Sequence, residues 1–165
     1  MTKELNRMDV EELQQEVDQY KENPEKCNIV RKMTAEWVGG TRARIASKDT
    51  VLHIGGDEDF GAMSVALASF LACELDVIAT HATLRGIELE KLTLEGTGRF
   101  NNARYMGVAS EPRPGYESVE YTVRIKAKNA TPEQLRDLVS LCETASPVGD
   151  TLVRPVNVSL HTVIE

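Results

Sequence analysis

The chain has 165 residues, a formal net charge of −7 and 41% hydrophobic residues. That length fits one domain, or one domain with an appendage, and is enough to bury a core without disulfide staples. The acidic balance argues against a nucleic-acid footprint, which needs clustered positive charge. The first residues, Met1 to Arg7, lack the apolar core of a signal peptide, and the longest near-apolar run, Gly61 to Cys73, is shorter than the ~20 residues of a membrane span. The expectation is a soluble cytoplasmic protein that binds neither nucleic acid nor membrane.

In chain order, Asp9 and Glu12 have capping-box spacing, and Val10, Leu13, Val17 and Tyr20 follow at helical spacing until Asn23-Pro24. This predicts a surface helix laid on the domain. Thr34 to Val38 and Thr41 to Ala46 flank Gly39-Gly40, the pattern of a two-residue hairpin. A short strand, Val51 to Ile54, ends at Gly55-Gly56. The loop Asp57-Glu58-Asp59 matches no calcium spacing and reads as solvated, so no metal is expected.

Ala62 to Arg85 is the most apolar segment and stops at Gly86, which predicts a helix about 36 Å long. Its N-terminal half is apolar nearly all round and is expected to be buried. Strands follow at Leu92 to Phe100 and at Val119 to Ala127, where apolar and charged residues alternate. Thr131-Pro132-Glu133-Gln134 then starts a helix with a buried stripe of Leu135, Leu138, Val139 and Cys142, ended by Pro147. A last strand is expected with Val156, Val158, Leu160, Thr162 and Ile164 on one face. Strand runs separated by only two internal helices indicate an α+β fold.

Cys27, Cys73 and Cys142 are odd in number and far apart, which fits neither a disulfide framework nor a zinc site. Cys73 shares an apolar helix face with Phe70 and Val77, so it is either a small core residue or a shielded reactive thiol. His81 on the same helix lies about 12 Å further along the axis, too far for direct proton transfer. His53 and His161 fall on predicted strands. No nucleophile elbow, phosphate loop or dinucleotide fingerprint is present. Arg42 and Arg44 lie on one side of the strand after Gly39-Gly40 and are either solvated or turned inward to hold a thiolate.

These segments together resemble the OsmC/organic hydroperoxide resistance (Ohr) family. The carriers are Glu36-Trp37-Val38-Gly39-Gly40-Thr41-Arg42, the central helix through Ala72-Cys73, Arg85-Gly86-Ile87-Glu88-Leu89-Glu90, the capped helix from Thr131, and Ser146-Pro147-Val148. The resemblance divides the chain into an N-terminal helical extension, 1–30, and an OsmC-like domain, 31–165. It implies an intertwined α+β homodimer with antiparallel sheets around a long buried central helix. It also implies reduction of organic hydroperoxides or hydrogen peroxide, in oxidative-stress defence, by a peroxidatic cysteine recycled by an external thiol, with no cofactor. Cys73 takes the catalytic position and Arg42 its arginine partner, with Arg44 as the register alternative. Phe70 and Met63 are expected at the substrate pocket. The family's resolving cysteine is Ser146 here, and Cys142, one turn earlier, is either a substitute or part of the core stripe. Met63 stands where the family has a glutamate that positions the arginine, and Asp57, Glu58 or Asp59 are the carboxylates near enough in sequence to replace it. The alternative is a ligand-binding protein that kept the scaffold without the two-cysteine chemistry.

Overall fold

A computed structural model describes residues 4–164. The chain begins with a small antiparallel hairpin, β1 (Glu4–Leu5) and β2 (Met8–Asp9). Its turn residues Asn6 and Arg7 have φ of 51° and 64°, the left-handed pair that a two-residue hairpin turn requires and that Asn tolerates well. The Asn6 side chain fastens this hairpin to the domain. Its Nδ2 donates to Thr83 Oγ1 (3.1 Å) and to the Ile87 carbonyl (2.9 Å), and its Oδ1 accepts from the Leu89 N–H (2.9 Å). Helix α1 (Val10–Glu22) follows, capped by Asp9, whose carboxylate accepts from the Glu11 and Glu12 N–H groups. None of its residues is fully buried, as expected of a surface helix.

Strands β3 (Thr34–Trp37), β4 (Ala43–Ser47) and β5 (Thr50–Ile54) form an antiparallel sheet in sequential order. The β3–β4 connection is wider than the two-residue turn expected. The Val38 N–H donates to the Arg42 carbonyl and the Arg42 N–H to the Gly39 carbonyl, so three residues, 39–41, form the loop. Gly39 and Gly40 both have positive φ, and the Trp37 indole donates to the Gly40 carbonyl at 2.9 Å, closing the loop from below. Among the described residues this sheet packs extensively on no other element.

The long helix α2 (Ala62–Leu84, 23 residues) packs against β6 (Leu89–Phe100), which pairs antiparallel with β7 (Tyr116–Ala127) along its whole length. Close approach of helix to strand depends on Gly96, where a Cβ would sit 2.9 Å from Leu71 Cδ2. The chain closes with α3 (Pro132–Ser140), α4 (Cys142–Ala145) and α5 (Pro147–Val153). The capping box at Thr131 and Gln134 is formed as expected. The core lies between α2, the β6–β7 ribbon and α3, centred on Ile78, Ala82, Ile87, Leu138 and Cys142.

The single helix expected from Thr131 to Pro147 is broken at Leu141 into α3 and α4, so Cys142 lies on α4. Three further expectations need correction. Pro147 does not only end a helix; it opens α5 from the first helical position with Ser146 as its cap, because proline's missing N–H and fixed φ suit that position. The last strand is not formed within the chain: residues 155–164 have no regular secondary structure and are exposed, with Val158 at 86% and Leu160 at 87%. A strand needs a neighbour, and this tail pairs with no other strand among the described residues. Within one chain α2 is buried only along the stripe Phe70, Glu74, Val77, Ile78, Ala82 and Thr83, so its N-terminal half is not enclosed. By length and composition alone α2 also meets the requirement for a membrane span, although Glu74 and Asp76 interrupt it, and charges at a bilayer centre are costly. The chain exposes 12987 Å², against about 8100 Å² for a compact monomer of its mass.

Candidate active site

Cys73 lies midway along α2, half-buried, one position before the buried Glu74. Residue 146 is extended (φ −81°, ψ 111°), as a residue before proline prefers to be. This turns its side chain back over α2. The Ser146 hydroxyl, with the residue only 3% exposed, accepts from the Gly149 N–H at 3.0 Å and lies 3.4 Å from Cys73 Sγ. With its oxygen accepting from the Gly149 amide, the hydroxyl proton is free to point at the sulfur. The structure thus brings Cys73 and Ser146 together, two positions that lie 73 residues apart in sequence.

Cys142 belongs to the core. It is 5% exposed, and its Sγ faces the Glu74 carbonyl at 3.9 Å. Burial pushes its thiol up to about 12, with the neighbouring Glu74 carboxyl adding to the effect. A thiol so held is a poor nucleophile at neutral pH, which matches the reading of Cys142 as the end of the Leu135–Leu138 stripe.

Arg42 does not bond to Cys73 within the chain. Its Nε donates to Asp59 at 2.8 Å. Of the three carboxylates in the preceding loop, Asp59 is the one that pairs with Arg42; the Met63 thioether can form no such ion pair. Arg44 sits between Glu36 on β3 and His53 on β5 in register. Met63 acts through its backbone: its carbonyl accepts from the Tyr116 hydroxyl. The Tyr116 ring is admitted by Gly98, whose Cβ would fall 2.3 Å from Tyr116 Cε1.

Phe70 and Met63 line different cavities, and neither cavity includes Cys73. Met63 borders a space shared with Thr41, Gly56, Phe100 and Tyr105. Phe70, edge-on to Tyr121 with ring centroids 5.0 Å apart, borders a cavity of about 460 Å³ that also contains Glu74 and Cys142. Burial pushes the Tyr121 phenol up to about 12, reinforced by the Glu74 charge. Sequence spacing had singled out neither Glu74 nor Gly149. The signal for Glu74 was present, since it lies four residues after Phe70 and four before Ile78, a charged residue on a core stripe. Among the described residues no group of three or more His, Cys, Asp or Glu is placed to hold a metal.

Residues 55–161 match the OsmC-like protein family. The chain belongs to that family. Its fold is similar to an OsmC-like protein from Mycoplasma pneumoniae (TM-score 0.65, 16% identity, covering 76% of this chain and 89% of that one). It is also similar to an OsmC-like protein of unknown function from Vibrio cholerae (TM-score 0.61, 10% identity, 75% and 94%). A third likeness is to an organic hydroperoxide resistance protein OsmC from Legionella pneumophila, described as a predicted redox protein (TM-score 0.52, 15% identity, 75% and 89%). No curated protein matches the sequence.

Proposed function

We propose that this protein is a cytoplasmic one-cysteine peroxidase that reduces organic hydroperoxides or hydrogen peroxide through Cys73 and takes part in oxidative-stress defence. The observation that carries the reading is the Cys73–Ser146 contact: the thiol faces the turn where the family's second thiol resides, and a hydroxyl occupies that turn. The name of the Legionella relative supports the substrate class. The Cys73 thiolate attacks the peroxide O–O bond, the alkoxide leaves and takes a proton from solvent, and Cys73 becomes a sulfenic acid. Ser146 cannot condense with a sulfenic acid to a disulfide. One external thiol forms the mixed disulfide and releases water, and a second reduces it, returning Cys73 and leaving the external pair oxidised.

The working form of this enzyme is a homodimer. Support comes from the excess of about 4900 Å² of exposed surface over a compact monomer, from the unpaired tail, and from a β3–β5 sheet with Trp37 76% exposed. A second copy would give residues 155–164 the strand neighbour they lack and would cover the open side of α2; in this reading the cation for Cys73 is the partner's Arg42, oriented as here by Asp59. The test is consumption of cumene hydroperoxide with dithiothreitol or a dihydrolipoyl donor. Turnover lost in Cys73→Ser, with a sulfenate trapped on Cys73 in the parent protein, is the expected result. Unchanged turnover in that variant and no trapped sulfenate would overturn the proposal.

A second reading, a ligand-binding protein on the same scaffold, is favoured by one observation: the Cys73 side chain meets a neutral hydroxyl rather than a cation within its own chain. Peroxide inertness of the dimeric protein would decide for it.

A further inference from the structure

The cavity beside Phe70 contains a group that the peroxidase chemistry leaves unused. Glu74 is 1% exposed, and neither of its carboxyl oxygens has a hydrogen-bond partner among the described residues. Buried carboxyl groups without partners are costly, and each calls for an explanation. Space beside this one is kept open by Gly149, where a Cβ would sit 3.1 Å from Glu74 Oε1 and 3.0 Å from Ser146 Oγ. The cavity wall holds three aromatic rings, Phe70, Tyr116 and Tyr121, and the aliphatic ends of Val119, Leu152 and Val153. Every ionisable acid or base on it except Tyr and Cys is acidic, namely Glu74, Glu117 and Glu143, with no Lys, Arg or His. The Tyr116 hydroxyl is already committed to the Met63 carbonyl, so this residue offers its ring rather than its oxygen.

We infer that this cavity is a binding site for an organic ammonium compound with an apolar arm, whose N–H groups are received by Glu74. The carboxyl supplies the acceptors that the ammonium needs, and the aromatic faces favour a positive charge through their quadrupoles. The volume, about 460 Å³, falls within the range of small-molecule sites. An organic anion meets only like charge there. This binding does not depend on the Cys73 thiol, so its outcome is separable from that of the peroxidase assay.

The test is titration of the full-length protein with phenethylammonium, followed by calorimetry and by chemical-shift changes at Phe70, Tyr121 and Gly149. Phenethyl alcohol and hydrocinnamate serve as the neutral and anionic counterparts. Saturable binding of the ammonium, weakened on the order of thirtyfold in Glu74→Gln, is expected, with much weaker binding of the alcohol and none of the anion. Leu152→Trp fills the cavity from its exposed rim with Glu74 retained and should also abolish binding, which keeps the test decisive if Glu74→Gln does not fold. Absence of ammonium binding, equal binding of alcohol and ammonium, or ammonium binding unaffected by Leu152→Trp would each overturn the inference.

Discussion

Cys73 and Ser146 meet at 3.4 Å because Pro147 forces the residue before it out of the helical region, and a serine there turns onto α2 instead of continuing α4. That separation is within reach of a disulfide after a small side-chain rotation. Ser146→Cys is therefore expected to give an internal disulfide between Cys73 and the introduced thiol on peroxide treatment, read as the loss of two free thiols by mass spectrometry. The other thiols should differ sharply. Cys27 is exposed and Cys142 buried, so brief native alkylation at pH 8 should label Cys27 and spare Cys142 until the protein is unfolded. The same burial sets a pH dependence. The Cys142 thiol and the Tyr121 phenol both rise to about 12 in the folded chain, from ordinary values of 9.0 and 10.0. Between these limits the folded state retains protons that the unfolded state has lost. Stability is thus fully present below about pH 9 and declines as pH rises toward 12. A thermal melt at increasing alkaline pH should show this fall, with a shallower decline in Tyr121→Phe.

At the scale of elements, the N-terminal segment is fastened to the domain by one side chain, Asn6, as well as by the packing of α1 on α2. Asn6 makes three hydrogen bonds across more than 75 residues of sequence, joining the end of α2 to the start of β6. Asn6→Ala removes all three, leaves the Leu89 N–H and the Ile87 carbonyl without that partner, and places a residue with less tolerance for positive φ in the turn. A loss of about 2 kcal/mol is expected from chemical denaturation. Asn6→Gly, which keeps the turn but not the bonds, should lose nearly as much; little change in Asn6→Gly would assign the effect to the turn. The α2–β6 contact depends on the absence of a side chain, since Gly96 lies under Leu71.

At the scale of the molecule, the exposed apolar surface is the dominant fact. The tail alternates Val156, Val158, Leu160, Thr162 and Ile164, a pattern that gains nothing from remaining in water. Light scattering at micromolar concentration should give a dimer mass. Val158→Asp combined with Leu160→Asp should leave the protein monomeric and lower the peroxide turnover proposed for it, while a dimer persisting in that variant would move the interface elsewhere.

The family was legible as a resemblance, carried by several motifs in order along the chain. The α+β class, both caps, the long helix and the β6–β7 ribbon were legible because each rests on local spacing: 3.6 for α2 and α3, 2 for the ribbon, and Thr-Pro-x-Gln for a helix start. The pairing of Cys73 with residue 146 followed from the resemblance, and its physical cause, a proline-forced turn, was visible only after folding. Three things were decided by tertiary structure alone. Glu74 became a buried, unpartnered acid because Phe70, one turn earlier, packs on Tyr121 of β7 and Gly149 of α5 approaches its carboxyl, elements more than 40 residues further along the chain. Arg42 found Asp59 because the β3–β5 sheet returns the chain to its own turn. The last strand did not form because a β pattern specifies a face and a period but not a partner, and hydrogen bonds between strands require a neighbour that local sequence cannot provide.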